Sequence, residues 1–435
     1  MSGTLAQARS FSRPVQVLLV NQVGINIGFY MLMPFLAAYL TGPAGLSAAM
    51  AGLVLGIRNF SQQGMFLIGG TVADRLGYRP AIIAGCGLRV LGFAAFAAST
   101  TPAVLIGAAV LTGLAGALFN PAARAYVAVE AADRRTEAFA VFNVFYQLGI
   151  LIGPLAGLAL LGSGFRAVCM AAALIFAVLT GLQLAFLPAR RPTGPDTLTE
   201  GRRPVLTDWR RAAGDRAFTA FAVSMLASYA LSFQVYLGLP LEIQRLTGHQ
   251  HAVVVVFAVQ AVLALAGQVR LTTWCTARYR PGQVIWRGLA VMAAAFAPMA
   301  AAAALPAAGG GGRPAGLVEA AMPLGLILAA AVLLAVGTML VFPFEMTVLT
   351  TLGPPHLLGT YYGVYNLASG IGILTGNLLS GAALDAARTH GMPALPWLAL
   401  TAVGAVSALA VAALDRHGHL TAPAAEPAHS TVPAR

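Results

Sequence analysis

The sequence predicts an all-α, polytopic membrane protein with about twelve transmembrane helices, and three observations carry that reading. Hydrophobic residues make up 58% of the chain and charged residues only 9%, with a mean hydropathy of +0.79, far from the profile of a soluble domain. Apolar stretches recur at the length needed to cross a bilayer, about 20 residues for a ~30 Å hydrocarbon core. Between them fall Gly, Pro and charged residues, which end helices and face water.

Taken in order, the expected spans are roughly 15–41, 47–72, 80–99, 103–129, 137–161, 166–187, 217–241, 252–274, 283–305, 321–346, 358–384 and 394–414. The first follows Arg9 and Arg13 and is longer than the apolar core of a cleaved signal peptide, so it is read as a helix. A charged hairpin, Asp74 to Pro80, separates spans two and three, and Arg134 and Arg135 separate four and five. Residues 188–216 form a polar stretch with Pro, Gly and paired arginines, read as a linker. His249 and His251 lie between spans seven and eight, Arg278 and Arg280 between eight and nine, and the run Gly309 to Gly312 between nine and ten. The resulting division is a six-helix bundle over 1–187, the linker 188–216, a second six-helix bundle over 217–415, and a Pro/Ala tail, 416–435, expected to be disordered.

All 26 cations are arginines. With the N-terminus placed in the cytoplasm, the inner loops collect Arg75, Arg79, Arg134, Arg135, Arg190, Arg191, Arg202, Arg203, Arg210, Arg211, Arg216, Arg278 and Arg280, and the outer side only Arg166, Arg245, Arg313 and Arg388. Cytoplasmic loops are the Arg-rich ones, so both termini are expected inside. The arginines sit in small groups at helix ends and form no basic face for nucleic acid. Cys86, Cys169 and Cys275 lack metal-ligand spacing, and the scattered histidines read as loop residues, so no metal is expected. A chain without lysine cannot contain a Gly-x-x-x-x-Gly-Lys-Ser/Thr loop, which excludes a Walker-type ATP site.

The two bundles read as copies of one another. Phe119 and Asn143 have counterparts in Phe342 and Asn366 at one offset (342 − 119 = 366 − 143 = 223), and Gly149-x-x-x-Gly153 is answered by Gly372-x-x-x-Gly376 at the same offset. Tyr78-Arg79-Pro80 is answered by Tyr279-Arg280-Pro281. Internal repeats of this kind place two homologous halves around a central cavity.

The hairpin Gly69-Gly70-Thr-Val-Ala-Asp74-Arg75-Leu-Gly77-Tyr-Arg79-Pro80 resembles the signature of the major facilitator superfamily. Gly77 supplies a tight turn, and Gly70 is expected to let helices approach closely. Arg58-Asn-Phe-Ser-Gln62-Gln63-Gly64 and Phe119-Asn-Pro-Ala-Ala-Arg124 narrow the resemblance to MdtH-type exporters of the drug:proton antiporter branch. Gly149-x-x-x-Gly153-Pro154-x-x-Gly157 is similar to that branch's antiporter motif in helix five, with Leu158 where a further glycine is common. Small residues at this spacing give a smooth face for a neighbouring helix, and Pro154 removes a backbone donor. The resemblance implies efflux of drug-like or secondary-metabolite molecules by alternating access, driven by a proton gradient with no other cofactor, by a monomer in the bacterial inner membrane. Import of a small nutrient on the same fold is the alternative.

Asp74 and Arg75 are too near the cytoplasmic surface for a midplane proton site and are read as a latch between the halves, with Arg124, Glu130 and Arg134 joining the cluster. Ions inside a membrane helix cost about 2.5–3.5 kcal/mol by insertion scales, so Arg58, Arg89, Glu242 and Glu345 each need a reason. Glu345, in Val341-Phe-Pro-Phe-Glu345-Met, is the acid best surrounded by apolar sequence. It is the proton-coupling candidate, with a permanent pairing to an arginine as the alternative. Exporters of this branch often carry an acid in helix one, where this chain offers Asn21, Gln22 and Asn26. The substrate cavity is expected to take Asn26, Phe29, Tyr30, Arg58, Gln62, Asn143, Tyr146, Gln147, Gln234, Tyr236, Tyr365 and Asn366. Amides and aromatic faces of this kind suit amphipathic or cationic aromatic molecules.

Overall fold

The computed structural model describes residues 2–188, 205–248, 250–306, 317–354 and 357–420, and every regular element among them is a helix. Eleven helices, counting bent ones whole, are long and apolar enough to cross a membrane. The second span is built in two pieces, Ala48–Gly64 and Phe66–Leu76, each too short alone, and together they supply the twelfth crossing. The remaining segments are, in order, Arg13–Thr41 (one), Tyr78–Ala98 (three), Pro102–Glu130 (four), Arg135–Leu161 (five), Phe165–Phe186 (six), Arg216–Thr247 (seven), His251–Thr276 (eight), Pro281–Ala303 (nine), Leu317–Leu352 (ten), Leu358–His390 (eleven) and Leu395–Arg416 (twelve). Large apolar side chains such as Leu174, Val269, Leu379 and Leu409 stay exposed, as the lipid-facing side of a membrane bundle requires.

Two short helices were not expected. Ser2–Arg9 precedes segment one, and Val205–Gly214 lies inside the stretch read as linker. The rest of that linker, 189–204, the glycine run within 307–316, and the tail from 421 lie outside the described residues. Asp215 joins the short helix to segment seven: its Oδ1 accepts the N–H groups of Ala217 and Phe218, capping the helix start, and its Oδ2 accepts from the Tyr361 hydroxyl at 3.0 Å.

Segments one and seven break at equivalent depths. The first divides into Arg13–Tyr30 and Met33–Thr41, with Pro34 at the start of the second piece. The seventh divides into Arg216–Ser232, a 3-10 turn Phe233–Val235, and Gly238–Thr247, whose first turn holds Pro240. A proline has no N–H to continue the ladder of the preceding turn, so both helices restart there. The final residue before one break, Tyr30, meets Tyr236 at the other, with hydroxyls 3.5 Å apart.

The glycine repeat has matching uses in the two halves. A Cβ on Gly149, Gly153 or Gly157 would press into Val23, Asn26, Tyr30 and Met31 of segment one, and one on Gly372 or Gly376 would press into Leu226 and Ala230 of segment seven. Five therefore lies on one as eleven lies on seven, each pair within its own half.

Across the halves, segment two packs antiparallel on segment eleven: Gly381 lies against Ala48, Gly52 against Asn377, Gly56 against Leu374 and Gly64 against Leu367. Both carboxylate oxygens of Asp385 accept N–H groups at the start of segment two, Ala48 at 3.0 Å and Ala49 at 2.9 Å. Five packs on eight, and Met33–Thr41 packs on Gly238–Thr247. The Ala48–Gly381 approach and the contact of Met33–Thr41 with Gly238–Thr247 lie at the end of the bundle opposite Arg13 and Arg416. Towards the other end, the piece Phe66–Leu76 only grazes segment eleven.

Candidate functional site

A cavity of about 480 Å³ lies between the halves, walled by segments one, two, three, four, five, seven, eight and ten. Its two walls differ in chemistry. Segments one to five supply amides, hydroxyls and guanidinium groups, among them Gln22, Asn26, Tyr30, Arg58, Gln62, Arg89, Asn120, Tyr146 and Gln147. The opposite wall is mostly apolar, with Phe257, Ala261, Ala264, Leu334, Met339 and Phe342, relieved by Ser232, Tyr236, Gln260 and Thr338.

Of the expected cavity residues, Asn26, Phe29, Tyr30, Arg58, Gln62, Tyr146, Gln147 and Tyr236 are on the lining. Asn26 also ties segment one to five by donating to the carbonyl of Tyr146 at 3.2 Å. Asn143, Gln234, Tyr365 and Asn366 are not on it. Asn143 is exposed, one turn nearer the terminal end than Tyr146, and Asn366, its repeat counterpart, is half-buried. Gln234 is buried between segments seven and eleven, donating to the Ala230 carbonyl at 3.0 Å and facing Asn377 at 3.5 Å. Tyr365 is buried beside Glu345.

The lining contains no acidic residue and two arginines, which differs from the expectation of a site suited to cationic molecules. Arg58 is 7% exposed, donates to Asn59 Oδ1 at 2.7 Å and lies 4.4 Å from the centre of the Phe29 ring. Arg89 is 4% exposed and lies between Phe119 and Phe176, at 5.2 and 5.5 Å from the ring centres. Arg58 Nε and Arg89 Nη1 have no hydrogen-bond partner. The signal for Arg89 in the sequence was its charge inside an apolar run.

Glu345 is fully buried in segment ten, outside the cavity lining and one turn from Phe342, which is on it. Its Oε1 accepts from the Tyr229 hydroxyl at 2.5 Å, and Oε2 has no hydrogen-bond partner of good geometry although Tyr365 faces it. The Tyr229 ring stacks on Phe342 at 5.6 Å. No cation pairs with Glu345 among the described residues, so the arginine-paired alternative is not what the structure contains. Glu242, an acid of segment seven, is paired with Arg245 at 2.6 Å.

At the terminal end, Gly77 has φ +95°, the backbone its turn was expected to need. Gly70 makes no close approach: a Cβ there would meet nothing within 4 Å, whereas one on Gly69 would run into the Ala117 carbonyl. Arg75 is exposed, and Arg79 donates to the Leu184 carbonyl at 2.8 Å, tying segment three to six within one half. The Asp74 side chain lies outside the described residues. Arg134 pairs with Glu137 at 2.8 Å and Glu130 accepts from Ser12 at 3.0 Å, while Arg124 lines a recess of about 230 Å³ with Gln22, Gln62 and Asn120. Arg79 and Arg134 thus serve contacts within the first half, not a bridge between halves.

A sequence profile of the Major Facilitator Superfamily matches residues 18–377. The chain belongs to that superfamily. It is 46% identical to an uncharacterized MFS-type transporter of Mycobacterium tuberculosis, over 95% of this chain and 96% of the relative. It is 30% identical to the multidrug resistance protein MdtH of Klebsiella pneumoniae, over 94% and 95%. Among solved structures, the nucleoside transporter NupG superposes with TM-score 0.76 at 14% identity, covering 93% of this chain and 100% of that one. An auto-inhibited POT family peptide transporter superposes with TM-score 0.75 at 17% identity, covering 97% and 99%. At those identities the likeness establishes the fold. The superfamily member is therefore a multi-pass membrane transporter, and its relatives are transporters rather than enzymes.

Proposed function

We propose that this transporter is a proton-coupled antiporter that exports amphipathic small molecules across the bacterial inner membrane, working as a monomer with both termini in the cytoplasm. The observation that carries the reading is Glu345: a buried carboxyl group, hydrogen-bonded to a tyrosine, lacking a cation and one helical turn from the cavity. Such a group can exchange a proton when its half of the bundle is exposed to one side and then the other. The resemblance to MdtH supports efflux. With the termini in the cytoplasm, the halves meet at the outer end, which corresponds to a carrier loaded from within.

One charge moved through about 100 mV is worth about 2.3 kcal/mol, near fiftyfold in concentration. The test uses energised inside-out vesicles, recording compound uptake and proton release together. Uncoupler-sensitive uptake with substrate-triggered proton release, lost in Glu345→Gln, supports the antiporter. The cavity arginines favour a second reading, import of a small acidic nutrient, in which the compound would accumulate only in right-side-out vesicles.

A further inference from the structure

We propose that the substrate is an organic anion with an apolar body, its carboxylate or comparable acidic group held at Arg58 and Arg89. This rests on the export reading for direction, but on the cavity alone for chemistry.

Both guanidinium groups are more than nine-tenths buried and reach the same cavity, and each keeps at least one unpartnered N–H. Buried cations are ordinarily paired with carboxylates, yet the lining offers none. The groups that do attend them are the Asn59 amide, the Cys86 thiol beside Arg89, and the faces of Phe29, Phe119 and Phe176. Ring faces attract a cation without using up its in-plane donors, so the planar fork of Arg58 or Arg89 stays available to an incoming acid. Gln22, Asn26, Gln62 and Asn120 add neutral hydrogen-bonding groups on the same wall. The facing wall, with Phe257, Leu334, Met339 and Phe342, suits an aromatic or aliphatic body. A ligand of opposite polarity, with an ammonium group, would meet two cations and no counter-charge.

The experiment is equilibrium dialysis of the full chain in lipid nanodiscs, without any gradient, against three probes sharing one ring system: naphthaleneacetate, naphthaleneacetamide and naphthylethylammonium. The anion is expected to bind about tenfold or more tightly than the cation, with the amide between. Arg58→Gln and Arg89→Gln are each expected to erase most of that preference while leaving amide binding within about threefold, and Arg58→Lys to retain part of it, because lysine keeps the charge and loses the fork. Equal binding of the three probes, a preference for the cation, or no saturable binding of the anion overturns the proposal. An anion preference that persists when vesicles show no proton-coupled export leaves the substrate class standing and removes the antiport reading. Export of cations with no anion preference does the reverse.

Discussion

The Tyr229 hydroxyl of segment seven donates a 2.5 Å hydrogen bond to Glu345 Oε1 of segment ten, and the Tyr229 ring stacks on Phe342, a cavity residue. The pair places a proton-accepting group next to the cavity without opening it to the cavity. Glu345→Gln keeps size and a hydrogen-bonding partner for Tyr229, so the protein is expected to fold and to exchange substrate across the membrane in both directions. Gradient-driven accumulation is expected to fall at least about tenfold, out of the near fiftyfold that one charge moved through about 100 mV can sustain. Tyr229→Phe leaves the buried carboxylate short of a donor and is expected to lower stability by about 1–3 kcal/mol, read as thermal unfolding of the purified protein.

The antiporter-like glycines make a steric prediction. Gly157→Ala places a methyl group against the Met31 carbonyl, and Gly69→Ala places one against that of Ala117. Overpacking of this kind costs about 1–3 kcal/mol, so both variants should lose thermal stability and transport. Gly107→Ala and Gly70→Ala add the same methyl group where nothing lies within 4 Å, and both should behave as wild type. Equal behaviour of Gly69→Ala and Gly70→Ala would refute the packing assignment.

Asp385 caps segment two from the opposite half. Removing a cap of this kind costs about 0.5–2 kcal/mol, so Asp385→Ala should shift the balance away from the closed end about two- to thirtyfold. Spin labels at Ala44 and Met392 should report a longer distance population in the variant. An unchanged distance distribution would mean that the cap stabilises segment two without holding the halves together.

Glu242 and Glu345 can be separated experimentally. Glu242 is bonded to Arg245, which also donates to the carbonyls of Ala302, Ala303 and Leu305 at the end of segment nine. Glu242→Gln should therefore reduce stability by about 1–3 kcal/mol, as expected for a hydrogen bond to a charged group, while proton release per substrate stays at the wild-type value. A loss of coupling in Glu242→Gln with coupling intact in Glu345→Gln would reverse the assignment of the two acids.

The membrane segments and the twofold repeat were legible in the sequence because bilayer thickness dictates length, and because Gly149 and Gly372 need the same close approach to a neighbouring helix. Gly77 was legible because its turn demands positive φ. The break at Met65 was not, since neither Pro nor a Gly pair marks it. The cavity roster was half legible: a polar residue in a helix turns through about a quarter to a third of a circle per position, so composition names candidates but leaves their facing undecided. Gln147 faces the cavity and Asn143 lies beyond its end, although the two share a helix face. Tyr365 lies buried beside Glu345 and off the cavity lining.

Glu345 stands on one half of the bundle and off the cavity lining, while Arg58 and Arg89 stand on the other half and on it. On the proposed assignment, with the proton at Glu345 and the cargo at the arginines, the two do not contend for the same atoms. In a carrier that exchanges the two at a shared site, acidity acts as a competitive inhibitor and raises the apparent KM. Here the inhibition pattern should be noncompetitive: changing the pH on one side should alter the maximal rate and leave the half-saturating cargo concentration nearly fixed, because the two ligands communicate through the position of the halves.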